Sequence, residues 1–131
     1  MKRLLLLLLT FLLTALPAFA AELKITTWNL EWLTARPVGD RALPPDARPK
    51  SAQEIAALRR YAERLDADII AIQEVDGPEI AARVFPAEQY AIHMTRDRVV
   101  QRTGFAIRRA IAFTANPDLV GLALDLDARH P

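Results

Sequence analysis

At 131 residues the chain has room for one small domain. Seventeen basic residues nearly balance sixteen acidic ones, so bulk charge gives a nucleic-acid partner no support, although local neutralisation of phosphates by a metal leaves that class open. The absence of cysteine excludes disulfides, thiol catalysis and Cys-based zinc sites, so a hydrophobic core must carry the fold.

Residues 1–20 carry the pattern of a secretory signal peptide. Lys2 and Arg3 precede an apolar run from Leu4 to Leu16, interrupted only by Thr10 and Thr14. Pro17 ends the run, and Ala18 and Ala20 place small residues ahead of a cleavage expected before Ala21. The alternative, a membrane anchor, is disfavoured by length: as a helix the run rises only about 20 Å against a hydrocarbon core of about 30 Å. Loss of Lys2 and Arg3 leaves fifteen basic and sixteen acidic residues, a net charge of −1 for a mature chain over 21–131. The protein is therefore expected to be exported, to a periplasm or the exterior, with no transmembrane segment in the mature chain.

Leu23 to Trp28 alternates apolar and polar residues and is rich in β-formers, which predicts a first strand with Asn29 at its end. Residues 34–50 hold four prolines and read as a loop. Ser51 followed by Glu54 forms a capping box opening a helix that ends near Asp66. Ile55, Leu58, Ala62 and Leu65 recur along it at helical spacing, with Glu54, Arg59, Arg60 and Glu63 on the solvent side.

Ile69 to Ile72 is apolar without a helical period, the mark of a central strand buried on both faces. Strand, helix and apolar strand make a βαβ unit with its two strands parallel and adjacent. Gly77-Pro78 begins a short helix to Val84, and Pro86 stops it. Tyr90 to Met94 and Gly104 to Ile107 read as strands around a polar turn at Arg96-Asp97-Arg98. Ile111 to Thr114 could form a further strand, and Leu119 to Leu126 is ambiguous, with Asp125 and Asp127 alternating with Leu124 and Leu126 as in a surface strand.

Ligands of open α/β sheets bind beyond the carboxyl ends of the parallel strands. Glu74 ends the second strand and Asn29 the first, so both side chains are expected at one edge. A carboxylate and a neutral amide oxygen are hard donors that suit Mg²⁺ or Ca²⁺. The competing reading is structural: each residue type also commonly opens a turn. Glu31 could reach the same edge or belong to the loop. Arg108 and Arg109 are either phosphate contacts or solvated charges, and Arg96, Arg98 and Arg102 are a solvated hairpin tip. Trp28 and Trp32 are packing residues or a platform for a base.

Three blocks carry a resemblance. Lys24-Ile25-Thr26-Thr27-Trp28-Asn29-Leu30, Asp68-Ile69-Ile70-Ala71-Ile72-Gln73-Glu74-Val75 and Thr103-Gly104-Phe105-Ala106-Ile107-Arg108-Arg109 resemble, in order, the T-W-N-L, D-I-I-A-L-Q-E-V and G-x-A-I-x-x-R strands of the endonuclease/exonuclease/phosphatase superfamily. The family includes DNase I-like nucleases, inositol-polyphosphate phosphatases and bacterial sphingomyelinases. The resemblance implies that Glu74 is the metal-ligating carboxylate and that Asn29 is a metal or active-site residue beside it. It implies Mg²⁺, with Mn²⁺ or Ca²⁺ as substitutes, a phosphate-ester substrate (nucleic acid among them) and metal-assisted attack of water.

The family's later N-x-H, G-D-x-N and D-H blocks have no counterpart here. His93 falls in a strand and reads as structural, and His130 lies in Arg129-His130-Pro131, outside any such context. The expected architecture is the first half of a four-layer α/β sandwich, a mixed β-sheet flanked by helices. Helix 51–65 covers its outer face and its inner face is bare. Such a chain, without the C-terminal half of the domain, holds no catalytic base and is expected to be inactive alone. The alternative is a non-catalytic exported binding module.

Overall fold

The computed structural model describes residues 22–96 and 99–117. The signal-peptide segment, Asp97 and Arg98 of the expected hairpin tip, the ambiguous segment 119–126 and His130 lie outside them. Among the described residues, four strands and two helices follow in the order β1 (Ile25–Leu33), α1 (Ala52–Leu65), β2 (Ile69–Val75), α2 (Pro78–Val84), β3 (Tyr90–Met94) and β4 (Arg102–Arg108). They form an α/β fold with one mixed sheet of order β1-β2-β4-β3. β1 and β2 are parallel neighbours, as the βαβ pattern requires, while β4 runs antiparallel to both β2 and β3. Among the described residues, no helix is long and apolar enough to cross a membrane.

Both helices start where their sequences say. Ser51 Oγ accepts from the Glu54 N–H at 3.2 Å, and the Glu54 carboxylate accepts from the Ser51 N–H at 2.7 Å. These reciprocal bonds satisfy two N–H groups that the first turn would otherwise leave open. Asp66 closes α1 in the left-handed conformation at φ 45°. α2 begins at Pro78, whose missing N–H costs nothing in a first turn.

The sheet buries one face. Ile70 and Ile72 of β2 pack with Ile55 and Ala62 of α1 and with Ile80, Ala81 and Val84 of α2 in a single apolar cluster. A chain of edge-to-face aromatics extends this core. Tyr61 and Trp28 have ring centroids 4.9 Å apart, Trp28 and Phe85 6.1 Å, and Phe85 and Tyr90 5.6 Å. Trp28 is thus a packing residue. Gly104 sits against the β3 backbone, where a Cβ would come within 2.5 Å of the His93 carbonyl oxygen, so the β3–β4 approach depends on glycine.

The opposite face is open among the described residues. Ile25 is 62% exposed and Phe105 44%. Ile69, Ala71, Gln73 and His93 share this face half-buried. The chain after β4 approaches it, with Phe113 edge-on to His93 at 6.4 Å between centroids.

Three expectations are corrected. The first strand does not stop at Asn29; it runs to Leu33, and Asn29 is an interior residue paired with Gln73. Ile111 to Thr114 is not a strand, because the Ile111 N–H returns to the Arg108 carbonyl at 2.9 Å and turns the chain out of the sheet. The strand read over 104–107 spans Arg102–Arg108.

Candidate functional site at the carboxyl edge of β1 and β2

The two parallel strands pair one-to-one from Ile25↔Ile69 to Asn29↔Gln73, and the register then breaks before resuming at Leu33↔Val75. β1 takes three residues across the break (Leu30, Glu31, Trp32) and β2 takes one (Glu74). The buried positions explain why the chain tolerates this. Leu30 and Leu33, like Ile72 and Val75, are buried three positions apart. A regular strand buries every second residue, so each strand must slip by one to bury both of its apolar side chains.

The slip is made through left-handed backbone. Among the described residues, Glu31 (φ 48°), Trp32 (φ 53°) and Glu74 (φ 58°) are three of the four non-glycine residues with positive φ, and the fourth is the helix cap Asp66. The conformation is uncommon for any non-glycine residue and an outlier for one as bulky as Trp32. Strain of this kind costs on the order of 1–3 kcal/mol per residue and gathers at functional sites.

Asn29 and Glu74 therefore do share an edge: Asn29 is paired with the residue just before Glu74. Asn29 also does what a turn-forming asparagine does, its Oδ1 accepting from the Glu31 N–H at 2.8 Å. An amide oxygen has two lone pairs, so one acceptor position remains. The half-buried Glu74 takes part in none of the side-chain hydrogen bonds or ion pairs among the described residues. No group of three or more His, Cys, Asp or Glu placed to hold a metal occurs among the described residues. A bound ion would thus have one carboxylate and one amide oxygen from these strands and take its other ligands from water or substrate. Mg²⁺ tolerates such a set, since it keeps several waters and is commonly held by one or two carboxylates plus phosphate.

Several groups at this edge come from distant parts of the chain. The Lys50 ammonium donates to the Glu31 carbonyl at 3.2 Å. Beside it a cleft of about 200 Å³ is lined by Glu31, Trp32, Asp46, Arg48, Lys50 and Glu54, among others. Arg48 and Glu54 close one side with paired contacts of 2.9 and 2.7 Å. Arg102 opens β4 opposite Val75 and so begins at the same edge. Just past the break, Asp76 Oδ2 accepts from Thr34 Oγ1 at 2.9 Å and from Arg36 Nε at 3.0 Å. The hydrogen bond from Arg36 to Asp76, then a second one from Arg36 to Asp40 at 3.3 Å, hold the Arg36 guanidinium above its ordinary pKa.

Other sequence candidates lie elsewhere. Arg108 is at the opposite end of the sheet, where it donates to the Ala67 carbonyl at 3.2 Å, pairs with Asp66 at 2.8 Å and lies over the Tyr90 ring. Arg109 donates through Nε to the Ala87 carbonyl. Both arginines tie down chain segments, and neither reaches Glu74's edge. His93 pairs with Phe105, which pairs with Ala71, so His93 stands two strands away from Glu74 and three residues short of its level. That is on the order of 10 Å in each direction.

Lys50, Thr34, Arg36 and Asp76 carried no local motif that would mark them. The break itself had a signal, because apolar residues at 28, 30 and 33 and at 70, 72 and 75 share the same change of spacing. Neither a family model, nor a curated protein, nor a solved structure matches the chain.

Proposed function

We propose that this protein is an exported phosphoesterase-type protein of the endonuclease/exonuclease/phosphatase kind, in which Glu74 and Asn29 hold a divalent cation against a phosphate ester. The observation that carries the reading is the pair of adjoining register breaks. They bring the half-buried Glu74, whose carboxylate has no hydrogen-bond or ion-pair partner among the described residues, to the strand level next to Asn29, on strained backbone at the carboxyl edge of two parallel strands. The three sequence blocks add to it, and the edge on which their Asn29 and Glu74 fall is where α/β sheets bind ligands. When bound, Mg²⁺ or Mn²⁺ would polarise a phosphoryl oxygen and offset charge that develops during displacement.

The chain's own residues would do the rest. Glu74 supplies the charged oxygen and Asn29 a neutral one. Lys50 and Arg102 bring positive charge to the same edge for a phosphate. A general base must stand within hydrogen-bond reach of the water it deprotonates, directly or through one more water. His93 is too far along and across the sheet to serve Glu74's edge. This favours binding over turnover for the chain on its own, and it is the observation that keeps a second reading, an exported non-catalytic binding module.

The test is a titration of the purified chain with Mn²⁺, followed by paramagnetic broadening of NMR signals, with bis(p-nitrophenyl) phosphate and single-stranded DNA as hydrolysis substrates. Selective broadening at Asn29 and Glu74 that Glu74→Gln abolishes is the expected result. Broadening elsewhere, or equal binding by Glu74→Gln, ends the metal reading. Hydrolysis that Glu74→Gln removes would show a base within the chain and overturn the binding-only account.

A further inference from the structure

Beyond the register break, the β1–β2 ladder has a single pair, Leu33↔Val75. One pair is little to hold three left-handed residues in place, since strained backbone persists only where its surroundings over-determine it. The chain adds a clip at this point. The Asp76 N–H donates to the Leu33 carbonyl at 3.0 Å, which extends the strand pairing by one bond. Thr34 Oγ1 donates to Asp76 Oδ2 at 2.9 Å and accepts from the Arg36 N–H at 3.0 Å. Arg36 Nε donates to the same Asp76 oxygen at 3.0 Å. Thr34 is 1% exposed and is the one buried polar or charged residue among those described. A buried hydroxyl is costly unless both its donor and acceptor capacities are used, and both are used here to join the chain leaving β1 to the chain leaving β2.

The clip brackets the break from outside, as Asn29↔Gln73 brackets it from inside. Glu74 lies two residues before Asp76, and Trp32 two before Thr34. Fixing Thr34 to Asp76 therefore fixes the span over which Glu31, Trp32 and Glu74 must turn left-handed. We propose that Thr34 and Asp76 are positioning residues: their hydrogen bond holds the Glu74 backbone in its left-handed turn and so aims the Glu74 carboxylate at the cation. The proposal rests on the metal reading of Glu74. Groups that orient a ligand from behind commonly change metal affinity about 10- to 100-fold when removed.

The experiment reads the two links separately in the purified chain. Backbone chemical shifts and the HN–Hα coupling of Glu74, measured without metal, report its φ. Mn²⁺ titration reports affinity at Glu74. Thr34→Val keeps the shape and removes the hydroxyl, and Thr34→Ser restores it; Asp76→Asn keeps an acceptor for Thr34 and removes the charge facing Arg36. The expected result is that Thr34→Val loses the left-handed signature at Glu74 and about 10-fold or more in Mn²⁺ affinity, while Thr34→Ser retains both and Asp76→Asn falls between. If Thr34→Val unfolds the chain, the milder Asp76→Asn decides the matter by the same two readouts. An unchanged Glu74 signature and affinity in the folded variant overturns the proposal. A wild-type chain whose Glu74 region does not respond to Mn²⁺ overturns the metal reading and the positioning role with it, and it is told apart because the metal-free backbone readout still shows whether the clip sets Glu74's conformation.

Discussion

The two ends of the β1–β2 pair are built on different principles. At the amino end, five residues of each strand pair one-to-one from Ile25↔Ile69 to Asn29↔Gln73. The Lys24 carbonyl there accepts from the Asp68 N–H, and Asp68 Oδ2 accepts from the Lys24 N–H. Ordinary β geometry and alternating burial suffice. At the carboxyl end, three non-glycine residues turn left-handed within one register break, and beyond the one resumed pair, Leu33↔Val75, the Thr34–Asp76–Arg36 hydrogen bonds join the two departing chains. The regular end is stabilised by what it buries. The irregular end gives up local backbone ease where Glu74 lies beside Asn29, and this contrast is what makes it the candidate site.

The contrast can be broken most forcefully at the regular end. Ile72→Ala empties a fully buried position in the core. A loss of about 2–5 kcal/mol is expected from large-to-small core substitutions, read as a lower denaturation midpoint by circular dichroism in urea.

A paired glycine scan of β2 sharpens it. Ala71 lies in the regular ladder opposite Thr27, and Ala71→Gly should cost roughly 0.5–1 kcal/mol by loosening a strand interior. Glu74→Gly should do the reverse and stabilise by up to about 1 kcal/mol, because glycine adopts positive φ without the Cβ penalty. The signature is a rise in stability together with loss of Mn²⁺ binding. Destabilisation by Glu74→Gly would mean that the break carries no strain.

The smallest effect concerns the cleft beside the break. The Arg48 guanidinium, and after it the Ser51 N–H, hold the Glu54 carboxyl far below its ordinary pKa of 4.5. A carboxyl lowered in the folded state stabilises above its unfolded pKa, and that contribution fades as pH falls through the folded value. The pair is largely solvent-exposed, so the effect is modest. Thermal unfolding at pH 7 and in a series below pH 4 should show Glu54→Gln losing stability at neutral pH and little at the acid end. Parallel curves for the two chains would show that the ion pair adds nothing.

Much of the fold was legible because its signals are local. The capping box at Ser51 and Glu54, Pro78 at a helix start and the apolar run Ile69–Ile72 each act within a few residues, and the structure follows them. The reading failed where a local signal was overruled. Asn29 looked like a strand end because asparagine is a turn former, and it does make its turn, but Leu30 and Leu33 must both be buried and they carry the strand onward. Ile111 to Thr114 has the composition of a strand and no place in the ladder once the chain turns after Arg108.

The amino-acid sequence by itself determined the element order, the parallel pairing of β1 with β2 and the common edge of Asn29 and Glu74, since capping, period and the βαβ connection are properties of short stretches. Tertiary structure alone decided that this edge is strained, that Lys50 bonds to it and β4 begins at it with Arg102 while Arg108 and Arg109 lie elsewhere, and that Thr34 and Asp76 are joined beside it. Those outcomes depend on residues distant in the chain, from 19 positions apart for Lys50 and Glu31 to 42 for Thr34 and Asp76, meeting over a core whose apolar spacing forces both strands to slip together.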